Sequence, residues 1–134
     1  MDAAEARALL ASARVARLAT VDAEGRPHLV PICFAVDGNR IVTAVDHKPK
    51  RTTALARLAN IAANPRVSVL ADHYDDGDWS RLWWARADGI ATVVASDPDA
   101  VAALAGRYSQ YRDHRPSGPV TVIAVERWTG WAAG

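Results

Sequence analysis

The stretch that decides the fold is His28-Leu-Val-Pro-Ile-Cys-Phe-Ala-Val-Asp-Gly-Asn-Arg-Ile-Val-Thr-Ala-Val45. It contains two apolar runs, His28–Val36 and Arg40–Val45, on either side of Asp37-Gly38-Asn39. A Gly-containing turn between two β-rich runs is typical of a β-hairpin. We therefore predict two antiparallel strands here, with the first buried on both faces because it is almost continuously apolar.

The rest of the chain extends this hairpin pattern. Further strands are predicted over residues 15–21, 66–74, 81–95 and 120–128, and helices over residues 3–13, 50–63 and 97–107. Asp22–Gly25 is predicted to be a turn, Asp97-Pro98 a helix start, residues 108–118 a loop, and the strand over 81–95 is expected to bend near Gly89. The predicted strands follow one another in hairpins with helices inserted between them, which differs from the regular β-α-β alternation of a parallel sheet. The pattern favours one domain over residues 1–134, mainly β, with an antiparallel barrel and peripheral helices.

Composition limits the function. The net charge of +1 gives no general attraction to nucleic acid or to a membrane surface, and no apolar run reaches the ~20 residues of a membrane helix. The acidic N-terminus lacks the pattern of a secretory signal, so we expect a cytoplasmic soluble protein. Cys33 is the only cysteine and is predicted to be a small buried hydrophobic residue.

Both lysines of the chain lie in one short loop. Lys48 and Lys50 flank Pro49 and are followed by Arg51, whereas all the other basic residues are arginines. The loop falls between a predicted strand end and a predicted helix start, where free backbone N–H groups and the helix dipole favour an anion. The sequence therefore suggests a phosphate site, with a merely solvated basic loop as the alternative.

Tryptophan is unusually frequent, with five of the nine aromatic residues. Trp83 and Trp84 are adjacent, so on a strand they point to opposite faces and only one can enter the core. The others are Trp79, Trp128 and Trp131. These residues suggest either a homodimer interface, where tryptophan is enriched, or stacking on a heteroaromatic cofactor.

Acid–base and metal signals are weak. The four histidines have no spacing typical of metal ligands, and no phosphate-binding glycine loop is present. We therefore predict no metal site and assign no catalytic residue. His28, Tyr108 and Tyr111 could each give a proton to a reduced substrate, but the sequence singles out none of them.

The order of several short motifs resembles the split β-barrel flavin and deazaflavin reductases, the superfamily of pyridoxamine 5′-phosphate oxidase, and within it the coenzyme F420-dependent reductases of the actinobacterial B group. The motifs are residues 19–31, Asp37-Gly38, Thr43, Lys48–Thr52 and Asn64-Pro-Arg-Val67. The resemblance implies a homodimer with a cofactor at each interface and a small organic molecule as substrate. It implies coenzyme F420 as the cofactor, with FMN as the alternative, and leaves open a non-catalytic flavin- or haem-binding protein.

The resemblance also implies which residues would contact the cofactor. The backbone of Val30-Pro31-Ile32 would run along the ring system, and the tryptophans would bound the ring or the substrate. Trp84 stands where the oxidase branch has a polar flavin contact, and Glu126-Arg-Trp-Thr-Gly130 matches an oxidase segment whose tryptophan reaches the partner's flavin. Residues implied to hold the phosphate are Thr43, Val45, Lys48, Lys50, Arg51 and Thr52. Tryptophans implied to lie at the ring or substrate are Trp79, Trp83, Trp84 and Trp128.

Overall fold

Seven antiparallel strands and four α-helices make up the described part of the chain. The computed structural model describes residues 1–45 and 51–134, without the side chains of residues 51–55. The strands are β1 (Ala16–Val21), β2 (Pro27–Ile32), β3 (Ala35–Asp37), β4 (Arg40–Ala44), β5 (Arg66–His73), β6 (Trp83–Val94) and β7 (Val120–Ala132). The helices are α1 (Ala3–Ser12), α2 (Arg51–Ala63), α3 (Pro98–Arg107) and α4 (Ser109–Asp113), with a 3₁₀ turn over Trp79–Arg81.

The sheet curls on itself. Its strand order is β2-β1-β5-β6-β7-β4-β3, so β2 and β3 are its two edges. In a flat sheet these edges would be separated by about 29 Å, six spacings of about 4.8 Å. However, only Cys33 and Phe34 join β2 to β3, and three Cα steps span at most about 11 Å. The chain therefore passes directly from one edge to the other, and the predicted antiparallel, mainly β fold with peripheral helices is confirmed.

Helix starts and turns form as their local sequences predict. Asp97 caps α3, accepting a hydrogen bond from the Ala100 backbone N–H at 3.0 Å, and Pro98 occupies the first turn. Gly25 and Gly38 adopt φ values of +83° and +60°, which suit the predicted turns because glycine has no Cβ. The register of β6 on β7 shifts between Asp88 and Gly89, confirming the predicted bend.

Two apolar clusters fill the interior. The larger one lies inside the curled sheet and is closed by α1, and the smaller one lies between α3, α4 and the β3–β4 hairpin. Members of the larger cluster include Leu10, Leu18, Phe34, Ile41 and Ile123. Members of the smaller one include Val42, Leu104, Tyr111 and Val120. Cys33 is half-buried against the smaller cluster, so it is less enclosed than predicted.

The structure corrects four of the sequence-based predictions. The predicted single strand 28–36 is broken at Cys33 and Phe34, because the chain must change sheet edges there. The β2 part is not buried on both faces, since burial alternates along it and the Leu29 side chain is 66% exposed. The predicted loop 108–118 contains α4. The last strand continues to Ala132, because β6 offers a partner for every added residue.

None of the helices in residues 1–45 and 51–134 is long and apolar enough to cross a bilayer.

Candidate functional site

One face of the sheet points away from the core and is called the outer face below. Residues directly opposite on antiparallel strands project to the same side, so the strand register defines this face. One row crosses five strands, and a second row runs beside it. The first row is Pro31, Arg17, Leu70, Arg86 and Thr129. The second row is Leu29, Ala19, Ser68, Asp88 and Arg127.

Two tryptophans are paired at one end of the outer face. Trp84 on β6 lies directly opposite Trp131 on β7, and Asp72 on β5 is its other neighbour. The guanidinium carbon of Arg86 lies 5.7 Å from the centre of the Trp84 ring, within the range of a cation–π contact. Trp131 is 48% exposed. This end of the face therefore offers an aromatic surface beside a positive charge.

Asp88 organises the polar centre of the outer face. Its Oδ1 accepts a hydrogen bond from the Ser68 hydroxyl at 2.6 Å, and its Oδ2 accepts one from the Arg86 Nε at 3.2 Å. These two bonds fix the carboxylate and hold the Arg86 side chain beside Trp84. The hydroxyl oxygen of Thr129, directly opposite Arg86, is buried without a hydrogen-bond partner. The centre of the face thus keeps a polar atom that the described fold does not satisfy.

A cavity of about 330 Å³ opens at the other end of the same strands. Small residues leave the space, including Ala19, Ser68 and Gly89, while Asp88 lies on its wall. Arg66 and Glu126 both line it and approach each other to 3.8 Å. The cavity is open and mainly apolar, and its polar lining residues are Thr20, Ser68, Asp88 and the exposed ion pair of Arg66 and Glu126.

The predicted ring-binding strand lies at the sheet edge. Val30 and Ile32 direct their side chains into the core, where they are 7% and 4% exposed, while Pro31 lies on the outer face. On its second edge β2 has no strand partner within the described residues. Backbone groups on this edge are therefore not used by a neighbouring strand, and their contact with a ring stays a prediction.

Trp83 and Trp128 occupy the opposite face. Both are half-buried and pack against the larger core cluster, and Trp83 also stacks on His73 with ring centres 6.4 Å apart. The indole N–H of Trp128 donates to the side-chain oxygen of Asn39 at 2.9 Å. The predicted division of Trp83 and Trp84 between two faces agrees with this arrangement.

Thr43 is part of the interior. It is 1% exposed, and its hydroxyl donates to the Cys33 carbonyl at 2.7 Å, which fixes the crossover between the sheet edges. Because a hydroxyl has one hydrogen, this bond leaves none for a phosphate oxygen. Its sequence-based role in phosphate binding stays a prediction, and the side chain serves the fold in the structure described.

The remaining predicted residues lie apart or outside the described region. Val45 is half-buried directly after β4, and Trp79 is 65% exposed in the 3₁₀ turn. Lys48 and Lys50 lie outside the described residues, as do the side chains of Arg51 and Thr52. The phosphate-binding role of these residues therefore stays a prediction from the sequence.

The structure adds residues that the sequence motifs did not single out. Arg17, Leu29, Leu70 and Ser68 join the outer face, and only the strand register brings them together. Strand alternation could have identified Arg17 and Leu70 as outward residues, but not as neighbours. Within the described residues no group of three or more His, Cys, Asp and Glu side chains could hold a metal ion.

Comparison with solved structures supports the fold. A conserved hypothetical protein from Mycobacterium tuberculosis matches with a TM-score of 0.75 and 23% identity over 98% of this chain and 85% of its own. An FAD-binding protein from Mesorhizobium loti matches with a TM-score of 0.74 and 22% identity, over 97% and 94%. A haem storage protein from Vibrio cholerae matches with a TM-score of 0.69 and 21% identity, over 98% and 92%. At these identities the likeness establishes a shared fold.

A family comparison is more specific. The model of the pyridoxamine 5′-phosphate oxidase family matches residues 3–132, which includes all seven strands and both faces of the sheet. The expected split β-barrel fold is thereby confirmed. This chain belongs to the pyridoxamine 5′-phosphate oxidase family.

Proposed function

We propose that the protein is an oxidoreductase that uses coenzyme F420 to transfer a hydride to or from a small organic molecule, with FMN as the alternative cofactor. One observation carries the proposal. Pro31 lies on the edge strand predicted to follow the ring, and Trp84 stands where the resembling oxidases have a polar flavin contact; the two share one exposed face of the sheet. Family membership supports a flavin-like ring as the ligand class.

The residues of the outer face fit a flat ring with polar edges. Leu29, Pro31 and Leu70 offer apolar contact, and Trp84 offers a planar surface. Arg86 and the unsatisfied hydroxyl of Thr129 offer hydrogen-bonding groups beside it. A heteroaromatic ring bounded by carbonyl and N–H groups needs this combination of apolar faces and few directed polar contacts.

The negatively charged tail of the cofactor is proposed to bind the basic loop after β4. Lys48, Lys50 and Arg51 would supply charge-assisted contacts, with Thr52 and the backbone after Val45 beside them. The support is the clustering of both lysines of the chain immediately before α2, which begins at Arg51. A helix N-terminus adds favourable dipole and N–H groups for a phosphate.

When bound, the cofactor supplies the hydride chemistry. The chain itself would orient and enclose it. Asp88 holds Arg86 in place, so the guanidinium would meet a ring or substrate without first losing side-chain freedom. Trp84 and Trp131 would shield one end of the face from water. Tyr108 engages backbone atoms of Phe34 and Arg14 through its hydroxyl, so this candidate proton donor is already committed to the fold.

A homodimer is proposed as the working form. The outer face carries exposed apolar side chains together with Arg17, Arg86 and Arg127 and the carboxylates of Asp72 and Asp88. A surface with both signs of charge can pair with a rotated copy of itself in a two-fold interface. The cofactor would then lie between the two copies, enclosed by residues of both.

FMN is the second candidate cofactor. The segment Glu126–Gly130 matches the oxidase branch, and its Trp128 has a fixed orientation through Asn39. Against it, Trp84 replaces the polar contact by which the oxidase branch holds a flavin. A non-catalytic binding role is the third candidate, suggested by the fold shared with a haem storage protein.

Titration of purified protein with F420 and, separately, with FMN tests the proposal. We expect F420, followed by the quenching of its fluorescence, to bind with a lower dissociation constant than FMN. We also expect the protein to oxidise reduced F420 when a quinone acceptor is added. Lys50→Ala should weaken binding roughly tenfold or more, because a hydrogen bond to a charged group contributes about 1.5–3 kcal/mol. Arg26→Ala, on the β1–β2 turn, is the control and should bind as the wild type does.

Two results would count against the proposal. Equal F420 affinity of Lys50→Ala and wild type would remove the phosphate assignment. Failure of both cofactors to bind, together with a Soret band on addition of haem, would favour the non-catalytic alternative.

A further inference from the structure

The cavity of about 330 Å³ on the outer face has a carboxylate, that of Asp88, on its wall. Its Oδ1 accepts the Ser68 hydroxyl at 2.6 Å, and its Oδ2 accepts the Arg86 Nε at 3.2 Å. These bonds use two of the about four positions at which an ionised carboxylate accepts hydrogen bonds. The Asp88 side chain is 33% exposed, so a ligand in the cavity can reach the carboxylate.

The neighbouring side chains also present acceptors to the cavity. Ser68 donates its only hydroxyl hydrogen to Asp88, which leaves the lone pairs of its oxygen. Glu126 adds a second carboxylate, and the Nη1 of Arg66 approaches it to 3.8 Å. Thr20 also borders the cavity, but it is 1% exposed and its hydroxyl accepts a hydrogen bond in the interior. A ligand that carries a hydrogen-bond donor therefore matches this wall.

The rest of the wall is apolar. Ala19 and Val21 line it from β1, and Pro27 lines it from β2. A volume of about 330 Å³ is at the lower end of the about 300–1,000 Å³ typical of small-molecule sites, which favours a compact ligand.

The charges around the cavity are paired. Arg66 lies beside Glu126 on its lining, and Arg86 lies beside Asp88 at its border. Each pair brings one positive and one negative charge, so the wall carries no excess of either sign. A neutral ligand suits such a wall better than an anion or a cation, because a charged ligand would lose its hydration without gaining a net opposite charge.

We propose that this cavity is the substrate pocket, and that it binds a compact neutral molecule with an apolar body and one O–H or N–H group that donates to Asp88. The inference rests on the proposed function in one respect, namely that a redox ring bound on the outer face reacts with this molecule. Arg86 connects the two sites, since Asp88 holds it and its guanidinium lies over the Trp84 ring. A molecule bound to Asp88 would therefore lie beside the proposed ring site.

Phenol and anisole are matched probes for this pocket. Each is a benzene ring with one oxygen, but only phenol has a hydrogen to donate. Both are titrated into ¹⁵N-labelled wild-type protein while the assigned amide resonances of Ala19, Ser68 and Gly89 are followed. We expect phenol to shift these resonances and to bind roughly tenfold more tightly than anisole, the effect of one hydrogen bond to a charged acceptor. Benzoate, an anion of similar size, should bind more weakly than phenol.

Two substitutions of Asp88 test its part in this preference. Asp88→Ala should abolish the preference for phenol over anisole. Asp88→Asn keeps a neutral acceptor, so a smaller preference should remain, because hydrogen bonds to ionised groups are roughly twice as strong as neutral ones. Asp76→Ala is the control, since the Asp76 carboxylate bonds Tyr74 in an exposed loop, and it should keep the wild-type preference.

A cavity-filling variant tests the location without changing Asp88. Ala19→Val adds two methyl groups to the lining and should weaken the binding of phenol and anisole alike, by roughly threefold or more. Ala124→Val makes the same change at an exposed position of β7 outside the lining, and should bind both probes as the wild type does.

Competition connects the cavity to the proposed reaction. With F420 or FMN bound, whichever the wild type binds, phenol should inhibit the quinone-dependent oxidation of the reduced cofactor competitively with the quinone, and more strongly than anisole does. Non-competitive inhibition, equal affinity of the wild type for phenol and anisole, or a full preference for phenol in Asp88→Ala would each overturn the inference. Wild-type protein that binds phenol as expected but neither cofactor would instead overturn the proposed function, so the two failures are distinguishable.

Discussion

The hydroxyl of Tyr108 lies 3.1 Å from the backbone nitrogen of Phe34 and 3.0 Å from its carbonyl oxygen. It accepts the N–H of Phe34 and can donate to that carbonyl or to the Arg14 carbonyl at 2.9 Å. Phe34 is fully buried in the two-residue connection between the edges of the sheet. One side chain at the end of α3 thus satisfies the backbone at the point where the sheet closes on itself.

Tyr108→Phe should destabilise the protein by about 1–3 kcal/mol, because it leaves the Phe34 N–H without a partner in a buried position. Chemical denaturation measures the change. Tyr74→Phe is the matched control, since the Tyr74 hydroxyl bonds only Asp76 in an exposed loop. We expect the control to change stability by less than about 0.5 kcal/mol. Equal effects of the two substitutions would refute the role of Tyr108 at the crossover.

Asp97 should contribute to acid sensitivity. A hydrogen bond from Arg40, followed by that from the Ala100 backbone N–H, lowers the pKa of Asp97 from its usual value of 3.8. A pKa that folding lowers means that this stabilisation is present above about pH 4 and is lost as the pH falls through the lower folded value.

Asp97→Asn keeps a capping oxygen for α3 but removes the charge beside Arg40. We therefore expect a smaller drop in melting temperature between pH 6 and pH 3 than in the wild type. Asp97→Ser, a second uncharged cap, should behave in the same way. If both variants lost as much melting temperature between pH 6 and pH 3 as the wild type, the Arg40–Asp97 ion pair, 3.0 Å apart, would not be the cause of the acid sensitivity.

Gly89 is required by the close approach of β6 and β7. A Cβ at this position would overlap the carbonyl oxygen of Ala124 and lie 3.1 Å from the Ile123 Cγ2. Gly89→Ala should therefore cost about 1–3 kcal/mol through backbone displacement at the bulge. Gly106→Ala is the control, because a Cβ there meets nothing within 4 Å and α3 should gain about 0.5–1 kcal/mol. In thermal unfolding, the melting temperature should fall for Gly89→Ala and rise for Gly106→Ala; a shift in the same direction for both would contradict the packing argument.

Local chemistry made several elements predictable from sequence. Asp97-Pro98 carries its own cap, and Gly38 its own turn conformation, so neither needs distant residues. The break in the predicted strand 28–36 could not be predicted in this way. It depends on Thr43 and Tyr108, which bind the crossover from distant parts of the chain.

The candidate site, too, was predictable from local sequence only in part. Alternation predicted that Trp83 and Trp84 face opposite sides, and the structure agrees. The neighbours of Trp84 follow from register, which short motifs do not specify. Asp88, for example, meets Ser68 only because β5 pairs with β6 in this alignment.

Trp84 should influence the choice of cofactor. In the resembling oxidases a polar residue at this position contacts the flavin, so Trp84→Gln should restore a hydrogen-bonding group at that point. We expect the ratio of FMN to F420 affinity to rise by roughly tenfold, the effect of about 1.4 kcal/mol. Trp131→Gln, its direct cross-strand neighbour, is the control and should leave the ratio unchanged. Parallel fluorescence titrations supply the measurement, and equal shifts in the two variants would remove the special role of Trp84.

The outer face should also hold two copies of the chain together. Leu29 and Leu70 are 66% and 40% exposed there, and each would be buried twice in a two-fold interface. The double variant Leu29→Lys/Leu70→Lys places four added charges in that interface, so it should sediment as a monomer at micromolar concentration. Gln110→Lys adds a charge on exposed α4 and should leave the wild-type mass unchanged. Because the proposed cofactor site lies between copies, the monomeric variant should also lose cofactor binding. If the double variant remained a dimer, the interface would have to lie on another surface of the protein.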